Sequence, residues 1–423
     1  MRYSSFLPAA FFLVVAALPG PLWAPPAATA ADWPQWRGAN RDGRVPALPR
    51  TMPELKLLWK HPVAGECDAG IAAVGSVVVA ADHDEGHDYY RCLDAARGTE
   101  TWVRSFPNAR EMDYGAGPRA TPLVERDKVY VLSAFGEFYC FDLKTGKTIW
   151  QLDFHKDFDV AKEPKWGCSS SPLIAGGKLI VNPGGGSAPL AALDPETGKV
   201  LWKGPGGGPN YASFIAGTFG GVEQVVGHDD TGLNGWDLNT GRRLWSINLE
   251  QGDGYIVPTP VSVGGKILIT DTHNESQLFA FGPHGAIVAK PVAKSEDIAP
   301  EVITPVAAGD LLLGLSHALV CLDANDLSTL WSYKREPIFK RDCHLIVAQD
   351  RGLAFNGRGE LVLFSFDRQG AKILGKKKLC GQTRMHPSLA AGRLYVRDGQ
   401  FVYCYDMGLA GTGKSANDGD SGK

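Results

Sequence analysis

The segment ALDPETGKVLW, Ala192 to Trp202, decides how this chain is read. A small residue stands two places before Asp194, Gly198 follows four places after it, and Trp202 follows four places after the glycine. Each residue type has a task in a hairpin. The carboxylate can accept backbone N–H bonds across the turn, and glycine supplies a positive φ that a side chain resists. The tryptophan then falls on the next strand, where its ring can pack against a neighbouring unit.

The same column recurs eight times, its third position falling on Asp94, Asp142, Asp194, Asp237, Gly282, Asp323, Asp367 and Asp406. Successive copies are 39 to 52 residues apart, which is room for four short strands and their turns and is the period of a propeller blade. Tryptophan follows eight residues after the third position in five copies, as Trp102, Trp150, Trp202, Trp245 and Trp331, and the midway glycine is present in the first four. Copies five and seven lack the tryptophan. Upstream of the copies lie turn-led, proline-led runs such as RATPLVERDKVYVLS, SSSPLIAGGKLIVN and VPTPVSVGGKILIT, which read as an inner strand, a tight turn and a second strand.

The last copy, FVYCYD at 401–406, has no tryptophan after it. LKLLWKHPV at 55–63 precedes the first inner strand, and its Trp59 lies 43 residues before Trp102. The spacing predicts that this N-terminal strand completes the last sheet and closes the ring, leaving no long edge unpaired. The expected architecture is all-β: an eight-bladed β-propeller of four-stranded antiparallel blades over residues 55–407, preceded by an extension at 31–54 and followed by a disordered polar tail at 408–423.

Residues 1–30 read as a secretory signal, with Arg2, an apolar run from Phe6 to Leu18 too short to span a bilayer, and Ala28-Thr29-Ala30 as a cleavage site. No cysteine follows the run, which speaks against a lipid anchor. The mature chain is therefore expected to be exported, periplasmic or secreted, with no transmembrane segment after cleavage. A formal net charge of −3 gives no basic excess and argues against nucleic acid as a partner.

The phrase A-x-D-x-x-x-G-x-x-x-W, matched letter for letter at Ala192 to Trp202, resembles the tryptophan-docking motif of the pyrroloquinoline quinone (PQQ)-like propeller repeats. The resemblance covers about residues 55 to 407. It implies one of two branches: eight-bladed quinoprotein dehydrogenases using PQQ and calcium, or non-catalytic propellers resembling the scaffold lipoprotein of the outer-membrane barrel-assembly machinery. The lead-in DWPQWRGANRDG, 32–43, is similar to a segment common in exported bacterial proteins of this repeat family.

The enzyme branch needs oxygen ligands for a divalent ion, a carboxylate base and a flat platform under the quinone. Adjacent cysteines, a feature of the larger alcohol-oxidising relatives, are lacking, and so is the C-x-x-C-H of an attached haem. Residues just ahead of the inner strands are candidates for the channel mouth, namely Arg119, Trp166, Tyr211, Tyr255, Arg341, Arg384 and His386. They are read as binding residues, with no catalytic residue and no metal ligand assigned. The expected function is a cofactor-free, monomeric scaffold in the cell envelope that takes a protein or extended peptide on rigid loops. The alternatives are the PQQ- and calcium-dependent dehydrogenase and a polysaccharide-binding propeller, the latter on Trp166, Tyr211 and Tyr255.

Other motifs have simple readings. Cys92, Cys140, Cys321 and Cys404 share the small-residue column and act as compact buried hydrophobes; in an oxidising compartment Cys140 with Cys168, or Cys321 with Cys343, are conceivable pairs. The stretch DHDEGHDYY, 82–90, falls where a hairpin turn around Gly86 is needed, and an acidic solvated turn requires no metal. The glycine-rich runs 182–189 and 204–211 lack the helix and Lys-Ser/Thr pair of a phosphate loop.

Overall fold

The computed structural model describes residue 1 and residues 32–409, apart from 66, 186–187, 251–254 and 340–342. The expected signal sequence and polar tail lie outside the described residues. Among those described, thirty-two strands form eight four-stranded antiparallel sheets. The innermost strands of blades 1 to 8 are Ala72–Val74, Leu123–Glu125, Leu173–Ala175, Ile215–Phe219, Val261–Val263, Val306–Ala308, Cys343–Ala348 and Ser388–Ala390. In seven blades the four strands are consecutive in sequence. In blade 8 the outer strand is Lys56–Pro62, paired antiparallel with Phe401–Asp406 so that Leu57 faces Tyr405 and Trp59 faces Cys404. The ring closes as the tryptophan spacing predicts.

The repeated phrase works as a joint between blades. Asp194 accepts N–H bonds from Glu196 (2.8 Å) and Thr197 (2.9 Å), and Asp94, Asp142 and Asp237 cap their turns in the same way. Gly98, Gly146, Gly198 and Gly241 all have φ between 66° and 71°. Each also carries the indole of the preceding blade: a Cβ on Gly98 would lie 2.4 Å from Trp59, and one on Gly241 2.4 Å from Trp202. The indole N–H then donates to a carbonyl of that same neighbouring turn, Trp59 to Ala95, Trp150 to Pro195 and Trp202 to Leu238. Glycine is thus required twice over, for its backbone conformation and for its missing side chain.

Where the phrase is broken, the joint is rebuilt. Blade 5 has no tryptophan, and Leu327 takes the glycine position of blade 6, at φ 59°, filling the space with a buried side chain. Trp245 has no Asp turn to dock on, so its N–H donates to Gln224 of its own blade and its ring meets Phe281. In blade 7 the tryptophan position is Gly375, and Met52 of the extension lies over it.

A second belt runs near the channel. Gly70 N–H donates to Thr121 Oγ1, Thr121 N–H to Ser171 Oγ, Ser171 N–H to Ser213 Oγ, Ser213 N–H to Thr259 Oγ1 and Thr259 N–H to Thr304 Oγ1, at 3.0 to 3.2 Å. Five successive steps stitch blades 1 to 6 together through buried hydroxyls, satisfying backbone donors at the points where the inner strands begin. In blade 8 the Ser388 hydroxyl donates to Ile71 O of blade 1. The column cysteines are buried in the sheets, and all eight cysteines are free thiols. Cys140 and Cys168 lie in one apolar cluster, Cys321 and Cys343 in another. Burial pushes the thiols of Cys140 and Cys321 up to about 12, which keeps them protonated.

Candidate functional site: channel plug and channel mouth

Strand alternation puts the outer-to-inner connections and the turns between second and third strands on one face of the ring. The Asp–Gly turns fall on the other. Arg119, Trp166, Tyr211, Tyr255, Arg384 and His386 lie in connections on the first face, which is the mouth.

The lead-in 32–43 occupies the channel below it. Trp33 exchanges backbone bonds with Ala73 of blade 1 (2.8 Å each way), and Val124 N–H of blade 2 donates to Pro34 O. Arg41 Nη1 donates to Pro172 O and its Nη2 to Ser171 O of blade 3, while Arg37 Nη2 donates to Pro305 O of blade 6 at 2.7 Å. Val45 N–H donates to Val347 O, and Val347 N–H to Gly43 O, on blade 7. The rings of Trp33 and Trp36 lie 5.7 and 6.5 Å from His386 of blade 8. One short segment therefore ties together blades 1, 2, 3, 6, 7 and 8. Both guanidinium groups are buried against carbonyl oxygens, and burial pulls their pKa values down, to about 10 for Arg37 and about 9 for Arg41, where the neighbouring Arg37 cation adds to the effect.

The candidates divide by position. Trp166, Tyr211 and Tyr255 form one aromatic group, with ring centroids 4.8 to 6.4 Å apart. The Tyr211 hydroxyl accepts from Trp166 N–H, and the Tyr255 hydroxyl donates to Glu301 at 3.1 Å. Exposed Tyr114 joins this group edge-on to Trp166, and the Arg384 guanidinium sits 5.0 Å over its ring. Arg119 pairs with Asp68 at 2.9 Å and donates to the carbonyls of Asp113 and Gly115. His386 is buried facing the plug, with His344 5.0 Å away, and desolvation holds its pKa well below the usual imidazole value. Arg341 lies outside the described residues. The sequence reading missed Tyr114 as a partner of Arg384, and it missed Arg37 and Arg41 entirely.

Beside the aromatic group opens a cleft of about 1260 Å³. It runs from Tyr114 and Arg119 across the turns at Asn356–Glu360 and Arg397–Gly399 to the outer strand of blade 7, Ala371–Lys378. The 82–90 stretch is elsewhere and forms a hairpin around Gly86. Asp82 pairs with Arg91 and Asp88 with His83, while Asp84 caps the turn.

A family model described as outer membrane protein assembly factor BamB matches residues 91–333. The chain belongs to this family. Among curated proteins, it is 24% identical over 308 residues to the BamB of Shewanella oneidensis, covering 66% of this chain and 72% of that one. It is 23% identical over 302 residues to lupanine 17-hydroxylase [cytochrome c] of a Pseudomonas species, covering 64% of this chain but only 41% of the relative. Among solved structures, BamB from Moraxella catarrhalis superposes with a TM-score of 0.58 at 17% identity, over 83% of this chain and 99% of that one. Quinohemoprotein alcohol dehydrogenase from Comamonas testosteroni superposes with a TM-score of 0.62 at 14% identity, over 93% and 83%. At such identities the superpositions speak for the propeller fold alone. No helix among the described residues is long and apolar enough to cross a membrane.

Proposed function

We propose that this BamB-family propeller is an exported, cofactor-free scaffold of the cell envelope that binds protein partners at its mouth. The observation that carries this reading is the contrast between the two ends of the axis. The channel is stopped by the chain's own Trp33, Arg37 and Arg41, all buried, whereas the mouth beside it keeps an open cleft with exposed Tyr114 and Arg384. Aromatic residues and arginine are the side chains most enriched where protein interfaces hold their binding energy. Rigid blades present them on loops whose geometry is fixed before a partner arrives, which lowers the ordering cost of association.

The dehydrogenase reading would need a quinone on the propeller axis, where it competes for space with the plug. Two measurements separate the readings. The purified chain is incubated with PQQ and calcium and examined for a cofactor spectrum and for dye reduction with alcohols and sugars. In parallel it is used to capture partners from an envelope fraction, alongside a variant carrying Trp166→Ala and Arg384→Glu. The scaffold reading expects no turnover and a captured protein that the variant loses. PQQ-dependent dye reduction, or recovery of glycans alone, overturns it.

A further inference from the structure

The cleft at the mouth has a charge that the rest of the molecule lacks. Among the described residues its lining carries seven cationic and four anionic residues, in a chain whose formal net charge is −3. Two of the anions are used up locally, Asp68 by Arg119 and Glu336 by Lys376. Asp398 accepts from the N–H groups of Gly381, Gln400 and Phe401 and from the Tyr403 hydroxyl, and Glu360 accepts from Asn356; neutral donors leave both carboxylates charged, so the described lining keeps three more cations than anions. Among the described residues no carboxylate lies within ion-pair distance of Arg358, Lys377, Lys378, Arg384 or Arg397. Lys377 donates to the carbonyl of Glu54 and Lys378 to that of Arg358.

Arg397, 1% exposed, adds a buried cation at the edge of this cleft. Its guanidinium donates to the carbonyls of Ala81, Gly65 and Asp398 and to Cys67 Sγ, and among the described residues no carboxylate lies within ion-pair distance of it. A buried cation matched by dipoles alone leaves a positive potential in the adjoining space, and low-dielectric walls focus that potential into the cleft.

We propose that this cleft binds an extended acidic polypeptide segment. The inference rests on the protein-binding reading above and supplies the chemistry of the partner. At about 1260 Å³ the space exceeds the range of roughly 300–1,000 Å³ typical of small-ligand pockets, so a chain-like ligand fits it better than a lone anion. Tyr114 is the one aromatic residue in its lining, whereas Trp166, Tyr211 and Tyr255 stand outside, so the cleft lacks the row of ring faces on which sugars stack. What it offers instead is spaced cations, a Tyr–Arg pair, and glycines at 115, 117, 357 and 399 that allow a peptide backbone close approach.

The test uses the full exported chain and a fluorescent peptide of alternating glutamate and serine. A lysine–serine peptide and heparin serve as comparison ligands. The acidic peptide is expected to bind and to weaken with added salt, and the lysine peptide is expected not to bind. Arg358→Glu with Arg384→Glu, both on exposed side chains, should weaken binding by about tenfold or more, since two attractive contacts become repulsive. Lys199→Glu, exposed on blade 3, should leave it unchanged. Equal binding of the two peptides, a double variant that binds like the parent, or a preference for heparin over the peptide each overturns the proposal. A partner captured from the envelope that survives the double reversal would leave the scaffold reading intact and remove this cleft from it.

Discussion

The indole of Trp102 lies on Gly146 of the following blade so closely that a Cβ there would come within 2.5 Å of the ring, and its N–H donates to Leu143 O at 2.8 Å. Gly146→Ala therefore adds a steric clash to the strain of a positive φ. Gly177, at φ 72° with nothing within 4 Å of a Cβ, separates the two effects. Gly177→Ala should cost about 1 kcal/mol from backbone conformation. Gly146→Ala should cost about 1–3 kcal/mol more from overpacking. Urea midpoints of the two variants measure the difference, and equal values would mean that the ring–glycine contact carries no energy.

Leu327 tests the repaired joint. Replacing it with glycine relieves the strain of its φ of 59°, a gain of about 1 kcal/mol, but empties a site 2% exposed, a loss of about 2–5 kcal/mol. The loss is larger, so Leu327→Gly should be destabilising by a few kcal/mol on the same scale. A neutral or stabilising result would show that the leucine does not substitute for a docked indole.

Ring closure predicts an asymmetry between truncations. Removing residues 55–63 deprives Phe401–Asp406 of its partner and blade 1 of the Trp59 that covers Gly98, whereas removing the tail after Gly408 should leave the sheets intact. The first should lower the melting temperature sharply and the second hardly at all. Trp59→Ala alone should cost about 3–5 kcal/mol. Matching melting curves for the two truncations would remove closure as a source of stability.

Acid stability should depend on His228. It is buried in blade 4, its Nδ1 has no partner among the described residues, and desolvation lowers its pKa to about 3. Between about 3 and the ordinary value of about 6.5 the unfolded chain binds a proton that the native state refuses, so stability falls as pH drops through that window. At pH 4 the loss from this one group is about 3 kcal/mol. His228→Gln should flatten the dependence of the urea midpoint on pH between about 6.5 and 4 by one proton's worth. An unchanged slope would place the acid sensitivity elsewhere, for instance at His386.

The joints were legible from the sequence because each task selects one residue type: aspartate for the turn, glycine for the seat, tryptophan for the knob. Even the borrowed strand could be read, from a tryptophan standing one period too early at Trp59. The hydroxyl belt was not, since threonine or serine ahead of an inner strand is common and its partner lies in another blade. The plug left no signature either. Arg37 and Arg41 bind carbonyls of Pro305, Ser171 and Pro172, and any residue supplies a carbonyl. At the mouth, residue types suggested aromatics and arginines, but only the fold places Arg384 over Tyr114 and sets Lys377 and Lys378 along the same cleft as Arg358.

The pairing of Lys56–Pro62 with Phe401–Asp406 also sets a schedule for maturation. A chain made from its N-terminal end delivers the outer strand of blade 8 well before that strand has anything to pair with. Until Phe401–Asp406 follows, the segment around Trp59 remains an open β-edge, the state in which nascent proteins are most exposed to misassociation. The slowest event in making this molecule is then expected to be the meeting of its earliest and latest described strands, a contact of very large sequence separation, and until that clasp snaps shut the array keeps one sheet a strand short.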